Sequence, residues 1–175
     1  MSSTPWEPVI AFLLCIYSTF AIHVNPGVGS RPVDGFSFST PVRVRFADTD
    51  AQGIAHNSVY LVWFEVARVE YLRAFAGGYQ ALRDRGIEAI VLESLCRYRS
   101  PVRFDDELVV NTRCVSLRGA RFRYEYAIER GEEVVADGHT EHACVDATTL
   151  RPTRVPDWLA EAIREAESAA ASSSA

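Results

Sequence analysis

The spacing of hydrophobic and polar residues changes along the chain, and each spacing predicts an element. From 36 to 46 the later residues alternate apolar and polar, as in a half-buried strand, and Pro41 indicates a sheet edge or the start of the strand. Ser58 then opens a run of eighteen residues that ends before Gly77 and Gly78. Because Ser and Gly are helix boundary signals, we predict a helix over 58–75. Apolar residues cover most of its circumference, so we expect it to be buried.

The rest of the chain predicts a sheet and a closing helix. After a helical turn at 79–85, strand-like segments follow at 87–99, 107–117, 120–130 and 132–146. Short turns between them imply antiparallel neighbours. A modest amphipathic helix is expected over 155–167, and the Ala/Ser-rich segment 168–175 is expected to be frayed. The predicted class is therefore α+β, with an antiparallel sheet of about five strands around a long central helix.

The first 35 residues differ from this pattern. Residues 9–24 form an apolar run of sixteen, shorter than the roughly 20 needed to span a bilayer, and the leader before it carries no Lys or Arg. We interpret 1–35 as an atypical extension, with a targeting or membrane-anchoring segment as the alternative. The folded domain is expected over 36–160, and the end of the last helix and the tail over 161–175.

Composition narrows the classes of function. Hydrophobic residues make up 48% and charged residues 23% of the 175 residues, which suits one well-cored domain. A net charge of −5 gives no positive field for nucleic acid. The four cysteines include no Cys-x-x-Cys pair, which argues against a zinc module or a thioredoxin motif. Cys96, Cys114 and Cys144 are predicted to be buried free thiols, which suits a reducing cytoplasm.

Polar residues crowd the loop that leads into the predicted buried helix. A helix N-terminus offers unpaired N–H groups and partial positive charge, which can stabilise the oxyanion formed when a thioester carbonyl is attacked. Asp50 is placed to attack the carbonyl or to activate water. Gly53 permits a sharp turn and a close approach of substrate. Asn57 can supply a backbone N–H to the oxyanion and a side-chain amide to substrate or water.

These residues carry a family resemblance. Asp48-Thr49-Asp50-Ala51-Gln52-Gly53-Ile54, with Asn57-Ser58-Val59-Tyr60 and Phe64-Glu65-Val66-Ala67-Arg68, resembles the signature of the 4-hydroxybenzoyl-CoA thioesterase family, which includes the Tol-Pal-associated acyl-CoA thioesterases. The segments 100–108 and 142–146 resemble it too. The resemblance implies a hotdog fold, a homodimer or homotetramer with sites between subunits, a catalytic aspartate at Asp50 and an oxyanion-hole N–H at Asn57. Many relatives carry His or Tyr at the position of Asn57, so no catalytic histidine is transferred to this chain.

Other polar residues have competing interpretations. Asp48 is expected to be a solvated loop acid that balances nearby arginines. His56 either orients Asp50 or faces solvent at the helix start. Glu65 is either an ion-pair partner of Arg68 or a second catalytic acid, and the ion pair is favoured because an unpaired buried carboxylate is costly.

Two further sets of residues are candidate ligands of a metal or of CoA. His139 and His142 lie three apart on a strand and point to opposite faces, so no metal site is implied. Arg118 and Arg121, at a hairpin end, are either CoA phosphate ligands or solvated.

The sequence therefore predicts an acyl-CoA or acyl-carrier-protein thioester hydrolase that uses Asp50 and needs no cofactor. A hotdog acyl-thioester dehydratase and a non-catalytic acyl-thioester-binding protein are the alternatives.

Overall fold

Five antiparallel strands form one sheet in the computed structural model, which describes residues 35–173. The spatial order is β1-β3-β4-β5-β2. The predicted strands are confirmed, most of them to within one residue at each end. The first strand is shorter than predicted because the chain leaves it for a 3-10 helix at Phe46–Asp48. The bounds are β1 Phe38–Arg43, β2 Ile87–Tyr98, β3 Glu107–Arg118, β4 Arg121–Arg130 and β5 Glu133–Asp146.

The two edges of the sheet are β1 and β2. The edge position inferred from Pro41 is confirmed, since β1 pairs with β3 alone among the described strands. The other edge, β2, exposes the apolar residues Ile90, Val91 and Leu92. Leu92 falls at a register shift between Val91 and Glu93, where the strand carries an extra residue relative to β5.

The long helix α1 (Val59–Ala76) packs against one face of this sheet, and its prediction is confirmed to within one residue. Phe64 stacks on Tyr126 of β4, with ring centroids 4.2 Å apart. The helix ends at Gly77, which adopts φ +75°, and a short helix α2 (Gly78–Arg83) follows. The expectation of burial on all sides is wrong for one face: Leu61 and Val62 are 38% and 44% exposed, because no described element covers them.

The closing helix α3 spans Asp157–Ser173. The prediction that the chain is frayed from Ser168 onward is therefore wrong for residues 168–173, which are helical. Its inner face packs Leu159, Ile163 and Ala166 into the core. Glu167 Oε1 accepts hydrogen bonds from the Tyr71 hydroxyl at 2.6 Å and the Cys114 N–H at 2.8 Å. The predicted domain limit at residue 160 therefore lies inside a helix whose later turns still hold the sheet.

A five-stranded antiparallel sheet around a long helix is the α+β hotdog arrangement that was expected. Cys96, Cys114 and Cys144 are free thiols, the last two buried and Cys96 half-buried. Between residues 35 and 173 no helix has both the length and the hydrophobicity needed to cross a bilayer. The apolar run at 9–24 lies outside the described residues.

Candidate active site

The loop before α1 is folded back on itself as a tight turn. An isolated β-bridge joins Thr49 to Ala55, and inside it the Asp50 N–H donates to the Ile54 carbonyl at 3.0 Å. The Gly53 N–H closes the turn on the Asp50 carbonyl at 2.9 Å. Gly53 adopts φ +72°, a conformation that other residues enter only with strain. The sharp turn predicted at Gly53 is present.

Only one of the two carboxylate oxygens of Asp50 accepts a hydrogen bond from the described chain. Its Oδ1 accepts the Gln52 N–H at 2.8 Å, which fixes the orientation of the carboxylate. Its second oxygen accepts no hydrogen bond from any residue of the described chain. Asp50 is also only partly buried, so this oxygen is accessible to a ligand. A held carboxylate with one free oxygen can remove a proton from water or add to a carbonyl.

Asp48, by contrast, is a structural residue. It does pair with an arginine, but the expectation that it is solvated is wrong: it is 1% exposed. Arg45 folds back across the 3-10 turn and donates from Nη2 at 2.6 Å and from its backbone N–H at 2.9 Å. These charged hydrogen bonds make burial of the carboxylate tolerable. The Asp48 carbonyl accepts the His56 N–H at 2.8 Å and so ties both ends of the loop together.

His56 and Ser58 organise the start of α1. The Nδ1 of His56 lies 2.8 Å from the Ser58 hydroxyl and also accepts the Ser58 N–H at 3.3 Å. This ring nitrogen is therefore directed at the helix start and not at Asp50, which favours the second of the two interpretations of His56. The Val59 N–H is bonded to the His56 carbonyl at 3.0 Å. The Asn57 N–H has no hydrogen-bond partner among residues 35–173.

Asp50 and Asn57 face the same open cavity of about 490 Å³. The cavity lies where the turn, the first residues of α1 and the end of β2 meet. His56 lines it as well, whereas Gly53 supports the turn from outside the lining. The lining residues are Asp50, Gln52, Ile54, Ala55, His56, Asn57, Tyr60, Tyr98, Arg99, Ser100 and Pro101.

Two tyrosines in this lining were missed by the sequence analysis. Tyr60 is 3% exposed, and burial raises its pKa to about 12. Its ring meets that of Tyr98 edge-on at 4.9 Å, and the Tyr98 hydroxyl donates to the Asn57 carbonyl at 2.9 Å. Tyr98 ends a strand that looks like ordinary sheet, so no local sequence signal marks it.

The connection from β2 to β3 supports the loop from the other side. The Ala55 N–H donates to the Val102 carbonyl at 2.7 Å, and Arg103 Nη1 donates to the Gly53 carbonyl at 3.3 Å. Asp106, in turn, is held by Arg130 at 2.9 Å and by the Arg103 N–H at 2.9 Å. The loop before α1 therefore contacts a segment that is itself held by hydrogen bonds.

Glu65 does not line the cavity and is half-buried on α1. Burial opposes the charge of the Arg68 guanidinium, but neighbouring Tyr126 and Glu65 outweigh it and raise the pKa of Arg68. This supports the interpretation of Glu65 as the charge partner of Arg68.

Arg118 and Arg121 lie away from the cavity of their own chain. Tyr98 of β2 lies opposite Ala136 of β5, and Ala136 lies opposite Ile128 of β4. Arg121 precedes Ile128 by seven residues on the same strand. At the usual rise of about 3.3 Å per residue this is roughly 23 Å.

The two histidines of β5, His139 and His142, have different surroundings and different hydrogen-bond partners. His139 Nε2 lies 2.9 Å from Glu93, at the β2 edge. His142 is fully buried, bonded to Thr140 at 2.8 Å and stacked on Phe122. In the described part of the chain no three His, Cys, Asp or Glu side chains gather closely enough to hold a metal ion.

Comparison with known proteins agrees with this architecture. Residues 44–163 match the family described as the thioesterase-like superfamily. An acyl-CoA thioesterase, YbgC, of Haemophilus influenzae is 36% identical over 124 residues, which cover 70% of this chain and 90% of that protein.

Among solved structures, the DHNA-CoA thioesterase of Staphylococcus aureus superposes with a TM-score of 0.69 at 28% identity, covering 74% of this chain and 90% of that one. A thioesterase of Thermus thermophilus, complexed with coenzyme A and Zn, gives a TM-score of 0.68 at 28% identity, covering 78% of this chain and 98% of that one. The chain belongs to the thioesterase-like superfamily.

Proposed function

We propose that this protein hydrolyses acyl-CoA thioesters to a free carboxylic acid and CoA, with Asp50 as the catalytic residue. The observation that carries the proposal is that a carboxylate oxygen of Asp50 and the N–H of Asn57, both without a partner in the described chain, border one open cavity at the N-terminus of α1. Relatives with names that specify CoA thioesters support the substrate class.

The proposed reaction uses one base and one oxyanion donor. Asp50 removes a proton from water as the water oxygen bonds to the thioester carbonyl carbon. The carbonyl oxygen becomes an oxyanion, which accepts the Asn57 N–H and is favoured by the helix dipole. The C–S bond then breaks, and the thiolate takes the proton from Asp50. In the alternative route Asp50 adds to the carbonyl carbon, thiolate leaves, and water hydrolyses the resulting anhydride.

Within the superfamily, the motif from Asp48 to Ile54 supports placement near the 4-hydroxybenzoyl-CoA and Tol-Pal-associated thioesterases. An acyl carrier protein is the other donor of thioester that this chemistry accommodates. The free thiols of Cys96, Cys114 and Cys144, in the described part of the chain, support a cytoplasmic location.

The two rival functions make different demands on the site. A dehydratase needs a histidine proton shuttle, but His56 Nδ1 is occupied by Ser58. A non-catalytic binding protein would retain the cavity without turnover.

The full-length protein should be incubated with acyl-CoAs of increasing aliphatic length and with aryl-CoAs, and free thiol and acid measured. We expect stoichiometric release of CoA and acid from at least one class. Tight binding of CoA esters with no thiol release would favour the binding protein, and water loss from a 3-hydroxyacyl-CoA would favour the dehydratase.

We further propose a homodimer in which β2 pairs with β2 of a second copy. This edge is long and exposes Ile90, Val91 and Leu92, and an unpaired apolar edge is a template for strand addition. A two-fold axis perpendicular to the sheet makes the two β2 strands antiparallel. Arg118 and Arg121 lie at the end of the sheet opposite to the cavity of their own chain. In this dimer that end lies beside the cavity of the other copy. This is the arrangement in which those arginines could meet CoA phosphates.

A further inference from the structure

Tyr98 joins the edge of the sheet to the start of the central helix. Its hydroxyl donates to the Asn57 backbone carbonyl at 2.9 Å, across 41 positions of sequence. We infer that Tyr98 is a positioning residue, which fixes the peptide after Asn57 and thereby holds the Asn57 N–H toward the substrate carbonyl. The inference rests on the proposed function, because it assigns Tyr98 a part in oxyanion stabilisation.

The backbone around Asn57 is fixed on both sides. The preceding residue, His56, donates its N–H to Asp48 at 2.8 Å and accepts the Val59 N–H at 3.0 Å. The following carbonyl, that of Asn57 itself, is held by Tyr98. The Asn57 N–H lies between these bonds, has no partner among residues 35–173 and so remains available to a ligand. Oxyanion donors are effective only when they are oriented before the reaction.

The Tyr98 ring is itself held in place. It packs edge-on against Tyr60 at 4.9 Å, and Tyr60 lies 4.8 Å from the Trp63 ring on the next turn of α1. A tyrosine hydroxyl, with an ordinary pKa near 10, is protonated at neutral pH and able to donate, and desolvation and the nearby Cys96 thiol raise the pKa of Tyr98 further. Tyr98 therefore brings a preoriented donor to the carbonyl.

The helix start needs such a tie because it is exposed. Residues 56–58 are all exposed, and helix ends of this kind fray readily. The bond between His56 and Ser58 is local and moves with the segment, whereas Tyr98 belongs to the part of β2, from Glu93 onward, that pairs with β5 without a register shift. Tyr98 thus fixes the segment relative to the sheet.

The test is Tyr98→Phe, which removes only the hydroxyl. For a CoA ester that the wild type hydrolyses, kcat should fall about tenfold, the rate equivalent of one neutral hydrogen bond, with KM unchanged. Tyr71→Phe is the matched control, because the Tyr71 hydroxyl donates to Glu167 beside β3, away from both the cavity and the β2 edge, and its kcat should equal that of the wild type. A rise in KM at unchanged kcat would overturn the inference, since Tyr98 would then act only in substrate binding.

Amide hydrogen exchange provides a readout that does not depend on turnover. In Tyr98→Phe the Val59 and Leu61 amides at the helix start should exchange faster, while amides of β4 stay at wild-type rates. Unchanged exchange at the helix start overturns the inference even if the enzyme is active. A wild type without thioesterase activity would instead refute the proposed function, and exchange would still decide whether Tyr98 holds the helix start.

Discussion

At the scale of single residues, Asp48 and Asp50 show how the surroundings decide what a carboxylate does. Asp48 is enclosed by Arg45 and uses both oxygens to bind it, so it stabilises the loop. Asp50, two residues later, uses one oxygen for the Gln52 N–H and keeps the other for a ligand. The same residue type is structural in one position and available for chemistry in the other.

A buried imidazole should make the stability of the protein depend on pH. Burial, aided by the positive charge of Arg68, lowers the pKa of His142 from 6.5 to about 3. Between these values the unfolded chain binds a proton that the folded chain does not, so stability falls as the pH falls below about 6.5. We expect His142 to contribute a loss of about 2 kcal/mol in the free energy of unfolding between pH 7 and pH 5.

Urea unfolding at several pH values measures this contribution. His142→Phe keeps an aromatic ring against Phe122 but cannot titrate, and it should flatten the dependence by that amount. Phe122→Leu is the control: it should lower stability at every pH and keep the wild-type dependence. Equal dependence in wild type and His142→Phe would show that the imidazole is not held neutral.

The sequence marked Asp50, Gly53 and Asn57 as candidates because they lie within eight residues, in a polar loop next to a helix signal, and the structure brings Asp50 and Asn57 to one cavity. It could not locate Tyr98, since a tyrosine at the end of a strand carries no local mark and its contact is made only by folding. The burial of Asp48 was missed for a related reason: Arg45, three residues earlier, reaches it only through the 3-10 turn.

At the scale of elements, alternation and boundary residues were sufficient to place most strands and the central helix, because these patterns follow directly from strand and helix geometry. The exposed face of α1 was not foreseen, since composition tells which side chains are apolar but not what covers them. The last six residues of α3, 168–173, were missed because this Ala- and Ser-rich end has no strong apolar stripe. Glu167, immediately before them, binds the helix to β3.

The contact between α1 and the sheet depends on a glycine in β5. A Cβ atom at Gly138 would overlap the Leu95 carbonyl oxygen and approach Phe64 Cε2 to 3.0 Å. Because the first clash is with backbone, we expect Gly138→Ala to lower the free energy of unfolding by about 3 kcal/mol.

Chemical denaturation with a matched variant checks this. A Cβ atom at Gly131 meets nothing within 4 Å, so Gly131→Ala is strained only by its φ of +63°, and a loss of about 1 kcal/mol is expected. Equal losses for the two variants would mean that close packing of β5 against β2 and α1 is unimportant.

At the scale of the whole molecule, the apolar edge of β2 is the surface that a second copy should cover. A lysine introduced there would place charge within the proposed β2–β2 contact, so Val91→Lys should shift the mass measured by light scattering from dimer to monomer. Leu150→Lys, at a similarly exposed leucine in the turn after β5, should leave the mass unchanged. A wild type that is monomeric at assay concentration, or a Val91→Lys dimer, would contradict this assembly.

The central claim is that the Asp50 carboxylate drives thioester hydrolysis, and it is tested most directly by comparing kcat/KM for the wild type and Asp50→Asn on the same acyl-CoA. Asparagine keeps the size of the side chain and an oxygen for the Gln52 N–H but removes the basic charge. We predict a loss of about 10³-fold, the usual scale for removal of a general base, with a wild-type unfolding curve. Asp84→Asn, at the exposed end of α2, should retain full activity. Undiminished kcat/KM in Asp50→Asn would contradict the account.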